Sequence, residues 1–193
     1  MANSHLKKLQ KENEIWVNQT RKLNRLEGIK KHLTELYPDN AHFIYELLQN
    51  AEDAHAQKVS FHLSENQLIF KHNGKKLFDK HDIEGIIGWG QGSKSDDENA
   101  IGKFGVGFKA VFSYTNSPRI FSGEYNFEIK DLFIPFEIEP IEKKKDETVF
   151  HFPLNSDKKA SDIAYNEIKR GLLELKKVTL LFLSNINSII CMF

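Results

Sequence analysis

The stretch "AHFIYELLQNAEDAHA", residues 41–56, decides the fold, because it combines an apolar and a polar face on one helix. Its apolar residues recur at the spacing of a helix that packs on a core. At about 100° per residue, Asn50 lies roughly 40° and Asp53 roughly −20° from Glu46 around the helix axis. These three polar residues form one stripe, and their apolar neighbours indicate that the stripe is partly buried.

A half-buried polar stripe of this kind has chemical uses. A carboxylate, an amide and a second carboxylate suit a general base, a magnesium ligand and a polar organiser of a pocket. The alternative is a solvated helix face, which is what most polar stripes are. The choice between these two interpretations depends on whether other segments of the chain form a binding site with this helix.

The segments around this helix predict an α+β fold. The first forty residues are expected to form two amphipathic helices, the second ended by Pro38. Residues 59–63 alternate apolar and polar, "SEN" turns the chain, and "QLIFKH" runs to a turn at Asn73 and Gly74. This pattern predicts a hairpin packed on the helix.

The later segments complete a sheet. Residues 79–87 predict a helix, "KAVFSYT" a short helix, and the segment from about Asp157 to Lys177 a charged helix. Three or four antiparallel strands are predicted in "RIFSGEYNFEI", "LFIPFEI" and "TVFHFPL". We therefore expect a two-layer α/β sandwich whose mixed, mainly antiparallel sheet is covered on one face by helices. Its expected bounds are residues 26–193, after a helical extension at residues 1–25, as the front part of a longer protein.

Composition narrows the functional classes. Lys plus Arg number 27 and Asp plus Glu 27, so charge implies no nucleic-acid or anionic-membrane partner. The single cysteine excludes an internal disulfide framework and a zinc site built on thiolates. The sequence contains neither a signal-peptide core nor an apolar run long enough for a bilayer. A soluble, cytoplasmic protein is expected.

Residues 88–109, "GWGQGSKSDDENAIGKFGVGFK", hold two glycine clusters. The first approaches a P-loop, but Ser93 replaces the required glycine before Lys94. The segment before it predicts a helix where a P-loop needs a buried strand. A flexible polar loop is therefore the better interpretation of "GWGQGSKS".

The second cluster places Gly102, Gly105 and Gly107 before an apolar helix. Glycines at this spacing allow close approach of the backbone to a ligand, and the unpaired N–H groups of a helix start favour an anion. Taken alone, the cluster could equally be a tight turn. The helix with the polar stripe favours the anion site.

The two motifs together resemble the GHKL ATPase family, which includes DNA gyrase, heat-shock chaperone, histidine kinase and mismatch-repair proteins. "ELLQNAEDA" is followed about fifty residues later by "IGKFGVGFK". Six segments in order are similar to the sacsin-like branch of the family: "LYPDNAHFIYELLQNAEDA", "HNG", "GQGSK", "IGKFGVGFKAVF", "TVFHFPL" and "LLFL". The resemblance covers residues 26–190 and implies the Bergerat ATP-binding fold.

The resemblance implies roles for the helix and for one strand residue. Glu46 would be the general base for attack of water on the γ-phosphate, and Asn50 would hold magnesium against the phosphates. Asp53 would be a structural and water-binding residue. Thr148, in "ETVFHF", would lie near the adenine.

It also implies that the two glycine clusters differ in role. The phosphate cradle would be formed by Gly102, Gly105 and Gly107. Phe108 would lie beside the nucleotide, and Lys103 or Lys109 near phosphate. The segment between the motifs would be a lid that closes over the nucleotide, carrying Ser93 and Lys94.

One position departs from the family pattern. The resembling proteins bind adenine through D-x-G-x-G, whose aspartate accepts a hydrogen bond from the adenine amino group. Here the stretch is "KHNGKKLF", with His72 in the place of the aspartate, Asn73 next and Gly74 retained. A neutral imidazole or an amide carbonyl can accept one hydrogen bond, although a carboxylate forms the stronger one. The alternative for His72 is a hairpin histidine that faces solvent, so base preference is open.

Two functions from different classes remain open. The first is an ATP-binding domain with slow Mg²⁺-dependent hydrolysis that acts as a switch or motor of a larger multidomain protein. The second is a nucleotide-responsive interaction module with little or no turnover. The expected ligands are ATP, ADP and Mg²⁺. The expected partners are downstream domains of the same protein, and a homodimer is an open option.

Overall fold

The computed structural model describes residues 2–35, 42–88, 107–175 and 183–193. Within these ranges three helices come first, and runs of strands and single helices follow. The elements are α1 (Ala2–Lys22), α2 (Leu26–Glu35), α3 (Phe43–Asp53), β1 (Lys58–Ser64), β2 (Gln67–His72), α4 (Lys80–Ile87), a 3₁₀ helix (Phe108–Ser113), β3 (Arg119–Ser122), β4 (Tyr125–Lys130), β5 (Ile134–Glu137), β6 (Thr148–Pro153), α5 (Ser161–Glu174) and β7 (Ser188–Met192).

The strands form one sheet in the order β5-β4-β3-β6-β2-β1-β7. Every neighbouring pair is antiparallel except β1 and β7, which run parallel. The predicted mixed, mainly antiparallel sheet of an α+β sandwich is therefore confirmed. The region predicted to hold three or four strands holds β3, β4, β5 and β6.

One face of the sheet is apolar and packs under helices. Buried and less buried residues alternate along β1 and β2, as predicted for the hairpin. Aromatic rings of adjacent strands contact each other on the buried face: the Phe70 ring lies 4.7 Å from Phe61 and 5.8 Å from Phe150. Phe43 of α3 packs edge-on against Phe152 of β6, with 6.1 Å between ring centres. These contacts hold α3 against the middle of the sheet.

The end of α3 sets the direction of the chain into β1. The N–H of Ala56 donates to the carbonyl of Ala51, and the N–H of His55 donates to that of Glu52, both at 2.9 Å. This is the Schellman pattern, and His55 occupies its left-handed position with φ of 56°. The turn leaves Ala54 at the foot of the helix, beside the loop that follows β2.

The N-terminal helix α1 lies along β5, an outer strand of the sheet. Asn13 Nδ2 donates to the carbonyl of Phe133 at 2.6 Å, and Trp16 packs edge-on against the Phe133 ring at 5.1 Å. Leu6 and Val17 are buried. Covering an edge strand in this way protects it from pairing with another chain. The two predicted N-terminal helices are confirmed, and the domain start at residue 26 stays a prediction.

Two helices differ in detail from the sequence prediction. The helix predicted from "KAVFSYT" is a six-residue 3₁₀ helix that begins at Phe108. The charged helix is shorter than predicted, spanning Ser161–Glu174. The 3₁₀ helix is too short to have the dipole that the anion-site argument assigned to its N-terminus.

Candidate functional site

Helix α3 presents the predicted polar stripe at the border of the core. Its apolar side is anchored in the sheet, so the stripe is fixed in orientation. The Glu46 side chain is 17% exposed, Asn50 is 9% exposed, and Asp53 is half-buried. His42, one turn before Glu46, places its Nε2 3.9 Å from the Glu46 carboxylate. The stripe is therefore a partly enclosed polar surface, as predicted.

The structure brings the stripe and Gly107, the last glycine of the second cluster, together. Gly107 lies against the Glu46 carboxylate, so closely that a Cβ at position 107 would overlap Glu46 Cδ and both its carboxylate oxygens. The backbone of Gly107 is in the right-handed helical region, with φ of −66° and ψ of −38°. Glycine is therefore required here by the close approach of Glu46, since the backbone angles themselves suit any residue.

The side-chain amide of Asn50 is not engaged by any described residue. Among the residues that the structure describes, none forms a hydrogen bond with the Asn50 side chain, although the residue is 9% exposed. An amide oxygen that no described residue engages can coordinate a cation. The magnesium role of Asn50 stays a prediction.

Phe108 and Lys109 are both interior residues. The Phe108 ring lies 6.2 Å from the rings of Phe150 and Phe152 on the sheet. Lys109 is fully buried, and its ammonium donates to the carbonyls of Ile86, at 2.7 Å, and Leu132. Burial lowers the pKa of Lys109 to about 7. Contact of either residue with a nucleotide stays a prediction, and in this conformation the Lys109 ammonium is committed to two carbonyls.

His72, at the end of β2, is almost enclosed. It is 3% exposed, and burial lowers its pKa to about 4, so the ring is neutral near pH 7. The N–H of Gly74 donates to His72 Nδ1 at 3.1 Å. Gly74 is held tightly, because a Cβ there would lie 2.7 Å from Ala54 Cβ and 2.8 Å from His72 Nδ1. The position is therefore not a solvent-facing hairpin histidine, which was the alternative.

Asn73 and Thr148 flank His72 and are both bonded within the protein. Asn73 Oδ1 accepts the N–H groups of Gln57, at 3.0 Å, and Lys58, at 2.8 Å, and so fixes the start of β1. Thr148 lies directly opposite His72 in the β2–β6 register. It is fully buried, with Oγ1 2.7 Å from Ser122 Oγ. Of the three, His72 is the one with a ring nitrogen, Nε2, that no described residue engages, and ligand contacts of all three stay predictions.

Five predicted site residues lie outside the described part of the chain: Ser93, Lys94, Gly102, Lys103 and Gly105. Their lid and cradle roles stay predictions. Of the predicted glycine cluster, the described portion begins at Gly107.

Comparison with known proteins identifies the family. The family model "Sacsin domain" matches residues 23–133, more than half of the chain. The chain belongs to the sacsin domain family. The matched range includes Glu46, Asn50, His72 and Gly107, while Thr148 lies beyond it.

Two curated relatives share part of this sacsin domain. Sacsin of Homo sapiens is 32% identical over 111 residues, which is 49% of this chain and 2% of that protein. Protein NO VEIN of Arabidopsis thaliana is 34% identical over 98 residues, which is 49% of this chain and 4% of that protein. The chain thus spans only a few per cent of the length of these relatives.

The sacsin domain also has a carboxylate that the sequence prediction missed. Glu52 on α3 accepts the backbone N–H groups of Ser184, Asn185 and Ile186 at 2.8, 2.7 and 3.0 Å. Burial acts to raise the pKa of Glu52, but the hydrogen bonds from Ile186 and Asn185 outweigh it, so the pKa is lowered. Glu52 lies about 100° around the helix from Asp53, outside the stripe. No local pattern signalled its partners, which lie near the other end of the chain.

Within the described ranges, no three His, Cys, Asp or Glu side chains converge as metal ligands. A magnesium ion commonly takes only one or two protein ligands and completes its shell with phosphate and water, so Asn50 remains a suitable donor. The helices of the sacsin domain that the structure describes are each too short or too polar to span a bilayer.

Proposed function

We propose that this sacsin domain binds a nucleoside triphosphate, with ATP as the ligand that the GHKL resemblance implies, and hydrolyses it slowly with Mg²⁺. The contact between Glu46 and Gly107 carries the proposal, since it unites two motifs that are far apart in the sequence. Because glycine has no side chain, a phosphate bound at Gly107 would lie close to a water molecule held by the Glu46 carboxylate.

The dimensions of the site support the same ligand. Glu46 and Ala54 are eight residues apart, about 12 Å along the helix axis. Gly74 packs against Ala54, and His72 lies beside Gly74. Glu46 and the neutral ring of His72 thus lie near opposite ends of α3, so a ligand that contacts both must extend along this helix.

Each residue then has a defined task. Glu46 would accept a proton from the attacking water, and Asn50 would hold Mg²⁺ through its amide oxygen. The ion supplies electrostatic stabilisation of the phosphate charge. Asp53, one turn beyond Asn50 on the same stripe, would order water in the pocket. Because the chain covers 2% of human sacsin, we propose that it acts as a conformational switch within a larger protein.

The test is nucleotide binding followed by turnover. Thermal shift with ATP, ADP and Mg²⁺ measures binding, and phosphate release measures hydrolysis. Glu46→Gln should keep binding and lower phosphate release by at least about 100-fold, because general-base catalysis contributes that much or more. Glu142→Gln is the matched control, since Glu142 is exposed in a loop, and should match the wild type. Absence of any nucleotide binding to the wild type would refute the proposal.

A second candidate is a nucleotide-responsive module without turnover. The Lys109 ammonium donates to the carbonyls of Ile86 and Leu132, so in this conformation it does not neutralise a phosphate. This observation favours the second candidate. Binding without phosphate release in either the wild type or Glu46→Gln would support this candidate. Phosphate release that depends on Glu46 would exclude it.

A further inference from the structure

We propose that His72 donates a hydrogen bond to the bound base, so that the site prefers a 6-oxopurine nucleotide to the 6-aminopurine of ATP. This inference rests on the proposed nucleotide binding and changes only its base preference. The base preference depends on which ring nitrogen of His72 carries the proton and on whether that nitrogen reaches the ligand.

The position of the proton follows from the partner of Nδ1. Gly74 N–H donates to Nδ1 at 3.1 Å, so Nδ1 must be the unprotonated nitrogen. The ring is neutral near pH 7 because it is buried. A neutral imidazole has one N–H, which is therefore on Nε2. The site thus presents a donor where an aspartate would present an acceptor.

The ring cannot easily exchange these roles. It lies 5.9 Å from the Phe70 ring and 6.2 Å from the Phe150 ring, in the packed face of the sheet. Gly74 is held between His72 and Ala54. Flipping the ring would put a C–H against the Gly74 N–H and leave that buried donor unpaired. The Nε2–H form is therefore fixed by the fold.

Nε2 is also available to a ligand. Within the described ranges, Gly74 is the hydrogen-bond partner of the His72 ring, and no other residue accepts from it. Every fully buried side-chain nitrogen or oxygen described has a partner. Since no described residue accepts from Nε2, this atom is not fully buried and is within reach of water.

The chemistry of the two purine classes then differs at a single group. The 6-amino group of adenine would place a donor against the Nε2–H donor, which leaves both without a partner. A 6-oxo group would accept from Nε2–H. Leaving a buried donor unpaired corresponds to about a ten-fold loss of affinity or more.

ITP and ATP are the probes, because they differ in this group and neither has the 2-amino group of guanine. Dissociation constants are measured for the full chain with Mg²⁺. We expect ITP to bind about ten-fold more tightly than ATP. His72→Asp should reverse the order, because its carboxylate accepts from the 6-amino group. His72→Asn should bring the ratio near one, because its amide can donate or accept.

His62→Asp is the control, since His62 is exposed on β1, and it should keep the wild-type ratio. Tighter binding of ATP than of ITP, or an unchanged ratio in both His72 variants, would overturn the inference and leave nucleotide binding intact. Failure of both nucleotides to bind the wild type would overturn the proposed function and the inference with it.

Discussion

Lowering the pH should destabilise the protein through His72. The ring is 3% exposed, and burial lowers its pKa from 6.5 to about 4. In the folded state the ring stays neutral over a pH range in which the ring of the unfolded chain takes up a proton. Since the unfolded state then binds more protons, the stability is fully present above about pH 6.5 and falls as the pH drops towards about 4.

The size of the effect follows from these two pKa values. The free energy of unfolding should fall by about 2 kcal/mol between about pH 7.5 and about pH 5. Once the folded ring is also protonated, the loss reaches about 3 kcal/mol. Protonation of Nδ1 would also set it against the Gly74 N–H, which it now accepts. Such a loss is a large share of the total stability of an ordinary domain, about 5–15 kcal/mol.

The assay is urea unfolding of the full chain at a series of pH values, with His72→Asn as the comparison. The asparagine side chain can still accept from Gly74 but does not titrate. Because asparagine is smaller than histidine, the variant should be less stable at every pH. Between the same two pH values, its free energy of unfolding should fall by about 2 kcal/mol less than that of the wild type. His62→Asn, at an exposed position, should follow the wild type. Equal pH dependence in the wild type and His72→Asn would refute the reasoning.

Three further substitutions test neighbouring contacts. Gly107→Ala should change the free energy of unfolding by less than about 1 kcal/mol, because the φ of Gly107 suits alanine. The same substitution should lower phosphate release at least about 10-fold, because the new Cβ displaces the Glu46 carboxylate. Unchanged phosphate release would contradict this expectation. Glu52→Gln should cost about 1–2 kcal/mol in urea unfolding at neutral pH. Because the pKa of Glu52 is lowered, that difference should vanish as the pH falls below 4.5, and a difference independent of pH would count against the carboxylate contacts. His55→Gly should raise the free energy of unfolding by about 1 kcal/mol, since φ is 56° there; a loss measured by urea unfolding would exclude backbone strain at His55.

The sequence was most informative where periodicity is local. Apolar alternation predicted the hairpin of β1 and β2, and helical spacing predicted the core-facing side of α3. The same spacing placed Glu46 and Asn50 on one half-buried stripe. These predictions succeeded because each depends on neighbours within a few residues.

Features that depend on distant partners were not predictable from such patterns. Nothing in the sequence near Glu52 indicates that it accepts N–H groups from residues 184–186. The burial of Lys109 is similar, because its carbonyl partners at Ile86 and Leu132 lie 23 residues away on each side. The apolar neighbours of Lys109 in "GFKAVF" were the available signal for burial. The apolar pattern predicted a helix in that segment but not its 3₁₀ form.

The contact between Glu52 and Ile186 joins positions 134 residues apart. Chain entropy must be lost before so distant a contact can form, and the parallel pairing of β7 with β1 has the same requirement. We therefore expect β7 to dock after the hairpin and α3 have folded together. In kinetic terms, substitution of Glu52 should speed unfolding while leaving the refolding rate nearly unchanged. The outermost strand would then govern how long the folded state persists, although it adds little to how fast that state is reached.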